Sequence, residues 1–152
     1  MLYSSHVNNV TAKSPPQPKA DPVMFSLLHA ARVIEGRIES SLEAVGLSLP
    51  KLSVLNQLVQ AKEPMTLSDL AAGLACVRSN MTQLVDRLEA EGLVKRVADG
   101  ADRRIVRAEL TPAGRERQAA GAARVESLQA EFAGSLSVSD RGALGRLLGG
   151  VK

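Results

Sequence analysis

The chain has 152 residues, a formal net charge of +3, 45% hydrophobic and 2% aromatic residues, one cysteine and two histidines. This composition predicts one domain with a hydrophobic core, excludes an internal disulfide and leaves few ligands for a structural metal. No apolar run reaches the roughly 18 residues of a membrane span, and no secretory signal is recognisable. We therefore expect a soluble, cytoplasmic protein without metal or cofactor. With so few aromatic side chains for base stacking, any nucleic-acid partner is expected to be a duplex.

The first 20 residues are mostly polar and include the sequence SPPQPK. They have too little apolar surface to offset the entropy lost on ordering. We predict a flexible arm over residues 1–20, followed by a single domain over residues 21–152. Two interpretations of the arm stay open: a plain disordered tail, or a segment that reaches a partner subunit or DNA.

An amphipathic helix is predicted over residues 22–46, where apolar residues recur at steps of three and four and Gly46 marks the end. Its apolar stripe comprises Leu27, Ala31, Ile34, Ile38, Leu42 and Val45. Three further apolar residues, Met24, Phe25 and Leu28, exceed what a small core requires. The helix is therefore predicted to pack both on its own domain and on a second subunit.

Residues 49–110 are predicted to form a helix-turn-helix followed by a hairpin. Hydroxyl side chains that can cap helices precede the first two helices, and Gly92 supplies a left-handed stop after the third. The predicted elements are a helix from Ser48 to Gln60, a brief extended pairing at Met65-Thr66, a helix from Leu67 to Leu74, and an amphipathic helix that runs to about Glu91.

The last of these helices has a polar face that suits DNA. Its buried side is formed by Met81, Leu84, Val85 and Leu88. The opposite side carries Ser79, Asn80, Gln83 and Arg87, flanked by Thr82 and Asp86. Hydroxyl and amide groups suit base edges, and an arginine one turn later suits a phosphate. An ordinary solvated helix face is the plain alternative.

A hairpin is predicted from strands over residues 93–97 and 105–110, which the loop ADGADRR separates. Between Lys95 and Arg107 there are five basic and two acidic residues, so the local positive excess equals that of the whole chain. We interpret the hairpin as a DNA-contacting wing. A loop that only aids solubility is the alternative.

Two more helices are predicted within residues 112–151. Thr111 can cap the first, which begins at Pro112, and Ser137 can cap the second. Their apolar positions are Ala120, Val125, Leu128, Phe132, Leu144, Leu147, Leu148 and Val151. Because helices at both chain ends have surplus apolar faces, residues 22–46 and 112–151 are predicted to form a shared dimer interface.

The segment LVDRLEAEGLV, followed by DRR and LTPAG at this spacing, resembles the MarR (multiple antibiotic resistance regulator) family of winged helix-turn-helix transcription factors. The similarity covers about residues 22–150. It implies a mainly α fold with a small β-hairpin wing (α+β), in which dimerisation helices flank the winged unit. It also implies a homodimer that reads successive major grooves of a pseudo-palindromic operator.

Carried over by position, the recognition helix of the family falls on residues 77–91, with its base-reading end at Ser79, Asn80, Thr82 and Gln83. Arg87 looks like a phosphate contact. The Asp-x-Arg motif of the family's wing falls on Asp102 and Arg104. The resemblance implies that this aspartate holds the arginine for the minor groove, while Arg103 touches the DNA backbone.

The chain departs from the family pattern just before the recognition helix. Val77-Arg78 stands where relatives often have Ser-Pro, which removes the usual cap and adds the charge of Arg78 near phosphate. Cys76 stands where leucine is common; we favour a small buried hydrophobe over a redox sensor. His29 lies beside the predicted interface; a plain polar position is favoured over a role in an effector pocket.

The sequence therefore predicts a homodimeric, sequence-specific regulator that binds a double-stranded DNA operator. We expect a repressor that a small-molecule effector or an oxidant releases. No catalytic triad, phosphate-binding loop or pair of catalytic carboxylates stands out, so no enzyme is predicted. The alternative is a helical dimerisation or adaptor protein whose winged unit binds protein. A thiol protein that uses Cys76 is a third interpretation.

Overall fold

The computed structural model describes residues 22–74, 78–102 and 104–151. The predicted N-terminal arm, Cys76 and Arg103 lie outside the described residues. Within them the elements are α1 Val23–Glu43, α2 Leu49–Ala61, β1 Met65–Thr66, α3 Leu67–Gly73, α4 Arg78–Ala90, β2 Val94–Ala98, β3 Val106–Leu110, α5 Pro112–Gly134 and α6 Val138–Gly149. The predicted fold class, mainly α with a small β-hairpin wing, is confirmed. None of the described helices combines the length and hydropathy needed to cross a membrane.

The three strands form one antiparallel sheet in the order β1-β3-β2. β2 and β3 make the hairpin, in which Val94 lies opposite Leu110 and Ala98 opposite Val106. Met65 pairs with Ala108, so the brief extended pairing predicted at Met65-Thr66 is present. The wing is thereby joined to the chain segment that leads directly into α3.

Hydroxyl side chains begin four of the helices, at the positions that the sequence predicts. The Thr111 hydroxyl accepts from the backbone N–H of Gly114 at 2.9 Å, and the Thr66 hydroxyl accepts from that of Asp69 at 3.1 Å. Ser48 and Ser137 cap α2 and α6 in the same way. Each cap satisfies a backbone donor that has no partner inside the helix, and this determines where the helix begins.

The hydrophobic core lies mainly within the winged unit, and the C-terminal end of α1 also contributes to it. Its largest fully buried side chains are Leu42, Val54, Leu55, Leu70, Met81, Val85, Leu88, Leu93 and Val94. The expectation for α1 holds only at its C-terminal end, because Leu42 is the one buried residue among the described residues of this helix. Leu27 and Ile34, from the same predicted stripe, stay more than two-fifths exposed.

The terminal helices carry a large exposed apolar surface. α6 is described along its whole length and contributes no buried residue. The exposed side chains on α1, α5 and α6 include Val23, Met24, Phe25, Leu28, Val33, Phe132, Val138, Leu147 and Leu148. Monomeric proteins rarely leave so many apolar side chains in water, which indicates that another surface covers these helices.

α5 approaches the winged unit closely through two glycines rather than through the predicted Ala120, which is exposed. A Cβ at Gly114 would lie 1.9 Å from the carbonyl oxygen of Leu93, and one at Gly121 would lie 2.7 Å from Cδ1 of Leu47. The Thr111 hydroxyl also donates to the Gly92 carbonyl oxygen at 2.7 Å. The start of α5 therefore packs directly on the backbone that joins α4 to the wing.

Alanine at position 114 should destabilise the fold, because its Cβ would meet a backbone atom that cannot move aside. We expect Gly114→Ala to lower the free energy of unfolding by about 1–3 kcal/mol in urea denaturation. Gly134→Ala in the same helix is the control, since its added Cβ would meet no described atom within 4 Å apart from its chain neighbours and the backbone of its own helix. A wild-type unfolding midpoint in Gly114→Ala would contradict this packing.

Candidate nucleic-acid interface

The outer face of α4 presents the predicted base-reading side chains to solvent. Met81, Val85 and Leu88 are buried on the inner face. The exposed side chains are Ser79, Asn80, Thr82, Gln83, Asp86 and Arg87. α4 begins at Arg78, whose side chain is not described, and the predicted first residue of the helix, Val77, lies outside the described residues. The polar face is thus a continuous exposed surface along the first three turns.

The wing loop is organised by the carboxylate of Asp99. Its Oδ1 accepts from the backbone N–H groups of Ala101 at 2.8 Å and Asp102 at 3.1 Å. Its Oδ2 accepts from Nε of Arg107 on β3. These hydrogen bonds from Arg107 and from the two loop amides hold the pKa of Asp99 at about 2. Asp99 is not among the predicted site residues, although Asp-Gly after a strand is a typical start for such a turn.

Asp102 holds Arg104 in place. The backbone N–H of Arg104 donates to Oδ1 of Asp102 at 3.0 Å, and its Nε donates to the same oxygen at 3.2 Å. These bonds lower the pKa of Asp102. The Arg104 side chain is nevertheless 91% exposed. The wing therefore presents a guanidinium group that is oriented by its neighbour and open to a ligand.

The basic residues of the hairpin have mainly structural partners, which the charge count in the sequence does not reveal. Lys95 pairs with Glu109, its cross-strand neighbour, at 3.2 Å. Arg107 pairs with Asp99. Among the described cations between positions 95 and 107, each has a carboxylate partner. The positive charge available to a ligand is therefore smaller than the count of five basic residues indicates.

Arg96 joins the recognition helix to the wing. Its guanidinium binds Asp86 and Glu89, which lie on α4, and its backbone N–H donates to Oε1 of Glu89 at 3.0 Å. Partial burial alone would lower the pKa of Arg96, but the hydrogen bonds to the two carboxylates raise it. Asp86, which the sequence places beside the DNA-reading residues, thus also orients α4 relative to β2.

A groove of about 570 Å³ lies between α3, α4 and the wing. Its walls carry hydroxyl groups and two guanidinium groups, together with apolar side chains. The lining residues are Thr66, Leu67, Ser68, Thr82, Arg96, Arg104, Ile105 and Val106. The groove reaches α4 at Thr82 and the wing at the exposed Arg104, so the two elements share one concave surface.

A second cleft, of about 270 Å³, lies between α1 and α5 and is mainly apolar. It is lined by Ile34, Arg37, Ile38, Val125, Leu128, Gln129 and Phe132. Arg37 pairs there with Glu131 at 2.8 Å. His29 is exposed on α1 and lies outside this set. Among the described residues, no group of histidine, cysteine and acidic side chains is arranged to hold a metal.

Comparisons with known proteins agree with this geometry. A profile of the MarR family matches residues 45–105. An HTH-type transcriptional regulator of Bacillus subtilis, YsmB, is 35% identical over 89 residues, which are 59% of this chain and 60% of that protein. The transcriptional activatory protein BadR of Rhodopseudomonas palustris is 27% identical over 143 residues, covering 92% of this chain and 82% of BadR.

The structure is also similar to that of CouR from Rhodococcus jostii RHA1, which was solved bound to p-coumaroyl-CoA. The TM-score is 0.70 and the sequence identity 26%, with 84% of this chain and 90% of CouR covered. Both relatives are named as regulators of transcription. The similarity to CouR extends beyond the segment that the family profile matches.

Because Arg107 lowers the pKa of Asp99, we expect the free energy of unfolding to depend on pH. Because the folded pKa of Asp99, about 2, lies below the ~3.9 of an unperturbed aspartate, its contribution is fully present above about pH 4. The contribution is lost as the pH falls through 2. In Arg107→Ala we expect the pKa of Asp99 to rise toward ~3.9 in an NMR titration of its carboxyl carbon.

Lys95→Ala, which removes the other hairpin ion pair, should leave that titration unchanged. The free energy of unfolding should also fall less steeply between pH 4 and pH 2 in Arg107→Ala than in the wild type. An Asp99 titration in Arg107→Ala that matches the wild type would contradict the assignment of the shift to this pair.

Proposed function

Because the chain belongs to the MarR family of winged-helix transcriptional regulators, we propose that it binds a specific double-stranded DNA operator as a homodimer. The observation that carries this proposal is the concave surface on which the exposed polar face of α4 adjoins the oriented Arg104 of the wing. An α-helix fits the major groove of B-form DNA, and a single arginine fits the narrower minor groove beside it.

The two elements have separate tasks. The hydroxyl and amide groups of Ser79, Asn80, Thr82 and Gln83 read base edges in the major groove. Arg78 and Arg87 contact phosphates at the two ends of this face, and Arg103 contacts the backbone beside the wing. Arg104, held by Asp102, enters the minor groove, whose negative potential is strongest where it is narrow. Phosphate contacts then supply affinity, and the α4 contacts supply specificity.

The homodimer accounts for the exposed apolar surface of the terminal helices. Leu147 on α6 is 73% exposed and Phe25 on α1 is 66% exposed in the single chain. A two-fold interface between copies of α1, α5 and α6 would bury these side chains without any other partner. The two recognition helices would then face half-sites about one helical turn, ~34–36 Å, apart.

Regulation follows from the spacing of the recognition helices. An effector acts only if it binds the DNA-competent and incompetent spacings with different affinity. The apolar cleft between α1 and α5 is where we place a small organic effector. CouR, a similar protein, was solved bound to p-coumaroyl-CoA. Oxidation of Cys76, which lies outside the described residues, is the second way in which we propose that the protein is released from DNA.

Repression is the outcome we propose, since a dimer on its operator blocks access of the transcription machinery to a promoter that overlaps it. The relative BadR is named as an activatory protein. An experiment therefore has to distinguish repression from activation. A reporter driven by the native promoter should be more active in a deletion strain than in the wild type. Lower activity in the deletion strain would assign activation instead.

Gln83→Ala and Arg104→Ala should weaken DNA binding in different ways. Gln83→Ala removes a base contact, so we expect a loss on the order of 1–3 kcal/mol and a relaxed sequence preference. Arg104→Ala should weaken binding to all duplexes and reduce the salt dependence of the affinity. Fluorescence anisotropy at two salt concentrations, with a duplex selected from a random pool by the wild-type protein, measures both effects.

Glu126→Ala, an exposed position on α5 away from this surface, is the control and should bind as the wild type does. Unchanged affinity in Arg104→Ala would remove the wing from the mechanism. If the wild type selects no duplex even at low salt, the proposal of DNA binding fails and the protein-binding alternative replaces it.

A charge on α6 should dissociate the proposed dimer. We expect Leu147→Glu to shift the sedimentation coefficient from that of a dimer to that of a monomer, because an unpaired carboxylate would be buried at the interface. Ile105→Glu is the matched control, since Ile105 is an exposed apolar residue on the wing, remote from the terminal helices. A wild-type chain that sediments as a monomer at micromolar concentration would contradict the proposal.

A further inference from the structure

The arginine at the tip of the wing is connected to the body of the winged unit through a chain of hydrogen bonds. Nη1 of Arg107 donates to the Pro64 carbonyl oxygen at 3.4 Å, and its Nε donates to Asp99. Asp99 accepts from the backbone N–H of Asp102, and the carboxylate of Asp102 binds Arg104. The hydrogen bonds thus form a continuous series from Pro64, in the loop before β1, to the exposed guanidinium of Arg104.

The charge pair nearer the base of this chain is less exposed than the pair at its tip. The side chains of Asp99 and Arg107 are 13% and 34% exposed, whereas those of Asp102 and Arg104 are 38% and 91% exposed. A charge pair that is shielded from water holds its geometry better than an exposed pair, whose long side chains keep much of their rotamer freedom. The less exposed pair therefore forms the fixed end, and Arg104 the free end.

We propose that Asp99 and Arg107 are positioning residues that set the direction in which Arg104 points toward DNA. The proposal rests on the proposed function, in which Arg104 contacts the minor groove. Neither positioning residue needs to touch DNA. They act by fixing the backbone of Asp102, and this backbone determines where the carboxylate that holds Arg104 lies.

The two oxygens of Asp99 have distinct partners, which makes the pair sensitive to small changes. Oδ1 receives the loop amides of Ala101 and Asp102, and Oδ2 receives Arg107. Asparagine at position 99 retains one acceptor but loses the charge that attracts the guanidinium. Because the pKa of Asp99 is about 2, the carboxylate is ionised wherever DNA binding is measured.

A double-mutant cycle tests the proposal in the full-length chain, with the selected duplex as the ligand. We expect Asp99→Asn to raise the Kd for DNA by a factor on the order of 3 to 20, as coupled neighbouring residues typically do. In the Arg104→Ala background the same substitution should cause no further loss. In the Gln83→Ala background it should cause the full loss again, because Gln83 lies on the other contact element.

Arg107→Ala should reproduce this pattern, and it should also speed hydrogen exchange at the amides of Ala101 and Asp102. Lys95→Gln is the matched control, because it removes a hairpin ion pair that is outside the chain of contacts to Arg104. Whatever its effect on DNA binding, that effect should be equal in the wild-type and Arg104→Ala backgrounds.

Two results would overturn the positioning role while leaving the proposed function intact. One is an equal loss from Asp99→Asn with and without Arg104, which would mean that the pair acts only through general stability. The other is an unchanged Kd in Asp99→Asn although Arg104→Ala weakens binding. If Arg104→Ala itself leaves the Kd unchanged, the DNA contact of Arg104 fails and the positioning role fails with it.

Discussion

The bridge from Arg96 to Asp86 and Glu89 is the interaction on which the arrangement of the proposed DNA-facing surface depends. A recognition helix and a wing read neighbouring grooves only if their separation is fixed before DNA arrives. Here one guanidinium on β2 binds two carboxylates on α4, and the backbone of Arg96 adds a third hydrogen bond. An arginine suits this task because its planar group offers donors in several directions at once.

Using arginines as internal connectors changes how the charge of the wing should be interpreted. Arg96 and Arg107 are partly buried and connect parts of the fold, whereas Arg104 is exposed and is the arginine that we propose contacts DNA. The surface that meets a ligand thus has a modest positive charge, in keeping with a net charge of only +3 for the chain. Fit to the grooves, more than bulk attraction, would then determine which duplex is preferred.

The local features of the fold are predictable from sequence, whereas the pairing of charges is not. Hydroxyl caps such as Thr66 and Thr111, and the periodic apolar residues of α4, act within a few residues and leave clear signals. The partners of Arg96 and Lys95 depend on the strand register and on how α4 packs against β2, which no local pattern encodes. For α1 the period identifies an apolar face, but burial depends on what covers that face. Among the described residues of this helix, only Leu42 is fully buried, and Ile38 is partly buried against the core.

The close packing of Gly114 against the Leu93 carbonyl oxygen means that α5 and the winged unit should move together. α5 begins directly after β3, and there is no slack between its first turn and the backbone of the winged unit. A helix of 23 residues is about 34 Å long, so it acts as a rigid lever whose far end lies among the terminal helices. A tilt of about 5° at that end carries the wing through about 3 Å, comparable to one base-pair rise. In the proposed function, a small change in terminal-helix packing would thus move the wing by about one step along a DNA duplex.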